Sequence, residues 1–171
     1  MRTLWFSLLL AASTSAYAGP TTQTYDHLGL FTLGETAPPL SGFTADGQLF
    51  RSRMLLDGSH GLVVSFFQTT CAPCAIGLPK LIAAVNATQG RYRIVLIDVG
   101  ERPELLNPFV KKLGLNVPIV LDATRALTTS LGLDESLPRT VVIGADGKVR
   151  AAFGEEGVDF DTLLTQALNT P

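Results

Sequence analysis

The stretch Gly61-Leu62-Val63-Val64-Ser65-Phe66-Phe67 limits the fold more than any other part of the chain. It is a β-branched and aromatic run bounded by glycine, long enough for a strand, too short for a helix and without polar alternation. It therefore reads as a central strand covered on both faces. A helical pattern follows from Ala72 to about Asn86, with Ile76, Leu78, Leu81, Ile82 and Val85 at helical spacing and Pro79 expected as a kink. Cys71 falls where the buried strand turns into that helix.

The same reading places a second buried strand over Tyr92–Asp98 and a helix from about Glu104 to Leu113, ended by Gly114. Val117–Leu121 reads as a short extended piece and Thr124–Leu131 as a short helix. Asp-Gly turns at Asp46-Gly47 and Asp146-Gly147 predict hairpins, and Phe160, Leu163, Leu164 and Leu168 give a last amphipathic helix from about Asp159. Strand, helix, strand, helix, hairpin and helix in this order predict an α/β fold, a three-layer sandwich with a mixed sheet and helices on both faces. Phe66 and Phe67 should point to opposite faces of the sheet.

The chemistry concentrates at Cys71-Ala72-Pro73-Cys74, the only two cysteines among 171 residues. At a helix N-terminus the unpaired backbone N–H groups and the positive dipole end favour a thiolate, so Cys71 is the expected nucleophile. Cys74 lies one turn further on the same side and can resolve a mixed disulfide formed at Cys71. Two bland roles compete. A structural disulfide this short closes a loop too small to stabilise much, and zinc would need further ligands, for which only His27 and His60 offer imidazole.

Composition narrows the partners. With 13 Lys+Arg against 15 Asp+Glu the formal charge is -2, which leaves no footprint for nucleic acid. Residues 1–18 are expected to be a secretory signal peptide: Arg2 precedes the nine-residue apolar stretch Leu4–Ala12, and Ala16-Tyr17-Ala18 offers a cleavage site after Ala18. That stretch is far shorter than the roughly 20 residues a membrane span needs. The mature protein would be periplasmic or secreted, in a compartment where a cysteine pair can be oxidised. Residues 19–33 are expected to be a flexible arm with little to bury, and 34–171 the folded domain.

Taken together, the sequence resembles the exported thiol:disulfide oxidoreductases of the TlpA/ResA type, thioredoxin-like members of the AhpC/TSA–redoxin superfamily. The resemblance rests on Leu33-Gly34-Glu35-Thr36-Ala37-Pro38, Asp46-Gly47, Val63–Phe67, Cys71-Ala72-Pro73-Cys74, Pro79 and Leu137-Pro138-Arg139-Thr140 through Val149. The segment from Asn107-Pro108-Phe109-Val110 to Val117–Asp122 resembles the family's central strand-helix insert. The resemblance implies a cis-proline at Pro138 facing the cysteines, with the Leu137 backbone available to pair with a bound substrate strand; Arg139, beside it, is a candidate to steer an acidic client, a solvated rim being the alternative. It also implies protein disulfide clients, re-reduction by a membrane electron donor, no cofactor and a monomer.

Departures from the family pattern are specific. Phe67-Gln68-Thr69-Thr70 stands where tryptophan is usual before the first cysteine, and Ser65 stands where thioredoxins keep a buried acid. Another group or water must then serve the proton of Cys74, with Glu101 and Glu155 as candidate groups. A peroxiredoxin-like peroxidase is the main alternative, although Gln68 occupies its threonine position and Val64 the expected proline. A copper-delivery protein would want wider cysteine spacing and a histidine beyond His60. A thioredoxin-fold binding module with weak redox activity is the non-enzymatic alternative.

Overall fold

The computed structural model describes residues 25–134, 136–154 and 160–169. The expected signal peptide and the candidate Glu155 lie outside them. Two short strands, β1 (His27–Leu28) and β2 (Phe31–Thr32), form a hairpin of their own. The main sheet contains β3 (Ser41–Thr44), β4 (Leu49–Arg51), β5 (Gly61–Phe67), β6 (Tyr92–Val99), β7 (Ile119–Asp122), β8 (Arg139–Ile143) and β9 (Val149–Phe153). The helices are α1 (Ala72–Asn86), α2 (Pro103–Leu113), α3 (Ala126–Ser130) and α4 (Phe160–Asn169).

The sheet order is β4-β3-β7-β6-β5-β8-β9. β5 runs parallel to β6 and antiparallel to β8, so its backbone is bonded on both sides, and all seven of its residues are buried. β7 runs parallel to β6 and antiparallel to β3. The α2–β7 segment thus extends the sheet between β6 and the N-terminal hairpin β3–β4, as the strand-helix insert would. The mixed three-layer sandwich is thioredoxin-like.

Alternation along β5 divides the core in two. Val63 and Phe67 face α1, α2 and α4 together with Leu78, Leu81, Leu106, Phe109 and Leu164. Leu62, Val64 and Phe66 face the other way, where Leu131 after α3 and the β1–β2 hairpin cover the sheet. Among the described residues, helices therefore occupy the two faces unevenly, with α1, α2 and α4 on one and the short α3 on the other.

The expectation of an arm with little to bury over residues 19–33 is corrected from Tyr25 onward. Leu28 and Phe31 are buried in the second core, and Phe31 meets Phe66 edge to face at 6.3 Å between ring centroids. The Tyr25 backbone N–H donates to the Ala152 carbonyl at 3.1 Å, which ties the segment to β9. The face that α3 is too short to cover needs this apolar patch. Phe31→Ala should lower stability by about 3–5 kcal/mol, as removal of a buried phenylalanine does elsewhere. A urea-unfolding midpoint equal to wild type would show the hairpin to be dispensable.

Candidate active site

Cys71 caps α1: its backbone is extended (φ -79°, ψ 104°) and its sulfur accepts the Cys74 backbone N–H at 3.2 Å. Pro73 supplies preset helical geometry at a position where no N–H donor is needed. Cys71 and Cys74 are joined in a disulfide with their Cα atoms 5.2 Å apart. Their exposure differs. Cys71 is partly open to solvent while Cys74 is fully buried against Val63 and Phe67 in the first core. A thiolate at Cys71 would gain from the same N–H group and helix end, and a client can reach it; Cys74 can be reached only from within.

The loop between β5 and α1 is held from the β6–α2 turn. Gln68 donates to the Val99 carbonyl at 2.7 Å, and Thr69 donates from its backbone N–H and its hydroxyl to Glu101 at 2.5 and 2.8 Å. Phe67 stacks on Phe109 of α2 at 5.7 Å between ring centroids. The insert helix thus braces the strand end that carries the cysteines, in a position where relatives are expected to use tryptophan.

The Leu137-Pro138 peptide bond is cis, and Pro138 lies buried just before β8, whose Arg139 pairs with Phe66. Leu137 is half-buried against both cores and shares with Gln68 the wall of a cleft of about 130 Å³. The loop before the cysteines and the proline loop are therefore neighbours. Arg139 departs from the expectation of a substrate-facing residue. In β8 it alternates with Val141 and Ile143, which face the second core, away from Cys74. Its guanidinium is buried (5% exposed), bonded to Asp134 at 3.1 Å and stacked over Tyr25 at 5.1 Å. Ser65 is buried too, and its hydroxyl pairs with that of Thr140 at 3.0 Å rather than serving a cysteine.

Residues 33–152 match the model of the AhpC/TSA family. The chain belongs to the AhpC/TSA family. A thiol-disulfide oxidoreductase ResA of Geobacillus thermodenitrificans is 30% identical over 154 residues, covering 88% of this chain and 83% of that protein. ResA of Bacillus subtilis is 33% identical over 91 residues, which spans 52% of this chain and 50% of the relative. Among solved structures, a thiol:disulfide interchange protein of the thioredoxin family from Chlorobium tepidum superposes with a TM-score of 0.64 at 29% identity, over 80% of this chain and 97% of that one. A secreted Mycobacterium tuberculosis disulfide oxidoreductase shares the fold, with a TM-score of 0.63 at 21% identity over 75% and 93% of the two chains. This AhpC/TSA family member is a thiol-disulfide oxidoreductase by class, and its Cys71–Cys74 pair fits that activity.

The AhpC/TSA family member also carries an acid that its sequence alone did not bring forward as functional. Asp98 lies near the end of β6, beside Phe67 of β5 and Leu121 of β7. It is 1% exposed, and neither carboxyl oxygen has a conventional donor partner among the described residues. The neighbouring group is the Glu101 carboxyl, and a bond between two carboxyls requires that one of them be protonated. Burial, first of all, and then the Glu101 contact push the Asp98 carboxyl up from 3.8 to about 8. The signal was present in the pattern. Alternation along β6 puts Asp98 on the same face as Ile94 and Leu96, both core residues, so an acid stands where the period demands an apolar side chain. Glu101 sits over it because Gly100 turns the chain at φ +70° under the Arg125 side chain, a turn that a side chain at position 100 would obstruct.

Among the described residues no group of three or more His, Cys, Asp or Glu side chains could hold a metal. His27 is exposed, and His60 pairs with Asp57 at 3.1 Å.

The raised Asp98 carboxyl has a stability signature with a definite sign. Below about pH 4 both folded and unfolded chains hold its proton, and as pH rises towards about 8 only the unfolded chain releases it, so stability falls across that window. Asp98→Asn removes this loss. The oxidised variant should gain in thermal midpoint over wild type between pH 5 and pH 8; parallel midpoints across that range would contradict the buried, protonated Asp98.

Proposed function

We propose that this chain is an exported thiol:disulfide oxidoreductase that reduces the disulfides of client proteins. The observation that carries the reading is the asymmetry of the pair: an accessible Cys71 at a helix N-terminus, bonded to a Cys74 that solvent does not reach. In the reduced protein the Cys71 thiolate attacks a client disulfide, one client sulfur leaves as a thiolate, and a mixed disulfide forms. Cys74, deprotonated, then attacks the Cys71 sulfur, which releases the second client thiolate and closes the Cys71–Cys74 bond.

The charges around the pair favour the reducing direction. Phe67–Cys74 contains no Lys, Arg or His, and the side chain bonded to its loop is the acid Glu101. A thiolate with no cation beside it is less stabilised, so the disulfide form is relatively favoured and the dithiol is the better electron donor. Leu137 and Pro138, next to Gln68 across the small cleft, are the residues proposed to receive a client strand. Arg139 is left out of that surface because its guanidinium faces the opposite core.

Export through a signal peptide cut after Ala18, a periplasmic or secreted location, re-reduction by a membrane electron donor and a monomeric state complete the reading. The resemblance to exported oxidoreductases supports them. No helix among the described residues is long and apolar enough to cross a membrane.

Insulin reduction in the presence of dithiothreitol tests the activity. Cys71→Ser should abolish it, and Cys74→Ser should accumulate clients as mixed disulfides visible on non-reducing gels. Wild-type turnover in Cys71→Ser would end the proposal, and rapid peroxide consumption by wild type with no insulin reduction would favour a peroxidase instead.

A further inference from the structure

Resolution of the mixed disulfide requires Cys74 to lose a proton in a place that solvent does not reach, and Ser65 on the neighbouring strand offers no base. The sheet brings a different acid to this end of the molecule. Asp98 lies beside Phe67, on the face of the sheet that holds Phe67, Leu96 and Cys74 in one core, and its oxygens have no donor to satisfy them among the described residues. Glu101 links that acid to the cysteine loop through Thr69, two residues before Cys71.

We infer that Asp98 is the proton-exchange partner of Cys74 and that Glu101 is the positioning residue that keeps Asp98 basic and the cysteine loop in register. The inference rests on the exchange activity proposed above and deepens it. When a donor thiolate attacks the Cys71 sulfur of the oxidised protein, the S–S bond breaks, the electron pair goes to Cys74 and Asp98 gives its proton to that sulfur. When the reduced protein later resolves a client, Cys74 returns the proton to the Asp98 carboxylate as its electron pair forms the new bond to Cys71. One proton thus moves between the two side chains in opposite directions in the two halves of the cycle, and the electrons enter from the donor dithiol and leave to the client disulfide.

The charged group that acts on Asp98 is Glu101, and the nearest cation placed by the fold is Arg125, whose side chain lies against Gly100 in the same turn. β5 and β7 present Phe67 and Leu121 at its register, and α1 packs Cys74 into the same core as Phe67. From its own turn comes Glu101, while Arg102 and Glu104 at the start of α2 and Lys80 along α1 are exposed. Asp122 of β7 is occupied elsewhere, accepting from the Leu127 and Thr128 backbone N–H groups at 3.0 and 2.9 Å.

The test is stopped-flow oxidation of the reduced full-length protein by glutathione disulfide, from pH 5.5 to 9. Attack by Cys71 gives a rate proportional to glutathione disulfide, and resolution by Cys74 gives the plateau at high concentration. In wild type the plateau should rise with pH towards about 8, the range in which Asp98 ionises. In Asp98→Asn the plateau at pH 7 should fall roughly tenfold or more and that rise should vanish, as expected on losing a general base, with the attack rate within about twofold of wild type. Glu101→Gln should move the rise to lower pH with a smaller loss. If either folded variant keeps the wild-type plateau profile, or if attack and resolution fall together, the proton-exchange role is overturned while the exchange activity stands. Wild type that forms no mixed disulfide at all would overturn both.

Discussion

Everything at the cysteine site depends on β5 being buried on both faces and bonded on both edges. Such a strand cannot shift register without turning Val63 and Phe67 out of one core and Leu62, Val64 and Phe66 out of the other. Its C-terminal end is therefore fixed in space. The cysteines inherit that precision: four residues after Phe67, Cys71 caps α1, and Cys74 is pressed against the same Phe67 that the insert helix braces through Phe109. A bimolecular exchange at one sulfur followed by an intramolecular one at its partner needs this rigidity on one side and an opening on the other.

The parts of the structure legible in the sequence were those in which local pattern and tertiary role agree. β5, α1, β6 and the two Asp-Gly hairpins are such cases, because apolar period, turn chemistry and burial point the same way. Less legible were features whose meaning depends on the opposite face of the sheet. Tyr25–Leu33 is short and shows no long period when read locally, yet Leu28 and Phe31 close a core face that α3 leaves open. Arg139 stands beside a proline loop in sequence, but strand alternation turns its charge away from the cysteines. Asp98 was hidden at the end of an apolar strand. Its significance emerges only when β5 and β6 are in register and the Gly100 turn brings Glu101 back over it.

The site combines two opposed electrostatic influences. The helix N-terminus and the Cys74 N–H favour a thiolate at Cys71, whereas the acid Glu101 is bonded to the cysteine loop through Thr69 and no cation stands among the residues Phe67–Cys74. The first makes Cys71 reactive. The second keeps the reduced pair from becoming so stable that it would no longer give up its electrons.

The central claim is that the Cys71–Cys74 pair is a reductant, and its reduction potential at neutral pH tests that most directly. Equilibration of the full-length protein with dithiothreitol mixtures, followed by thiol trapping, should give a value near the roughly -270 mV of thioredoxin. A value near the roughly -120 mV of a strong dithiol oxidant would contradict the account and make the protein a donor of disulfides.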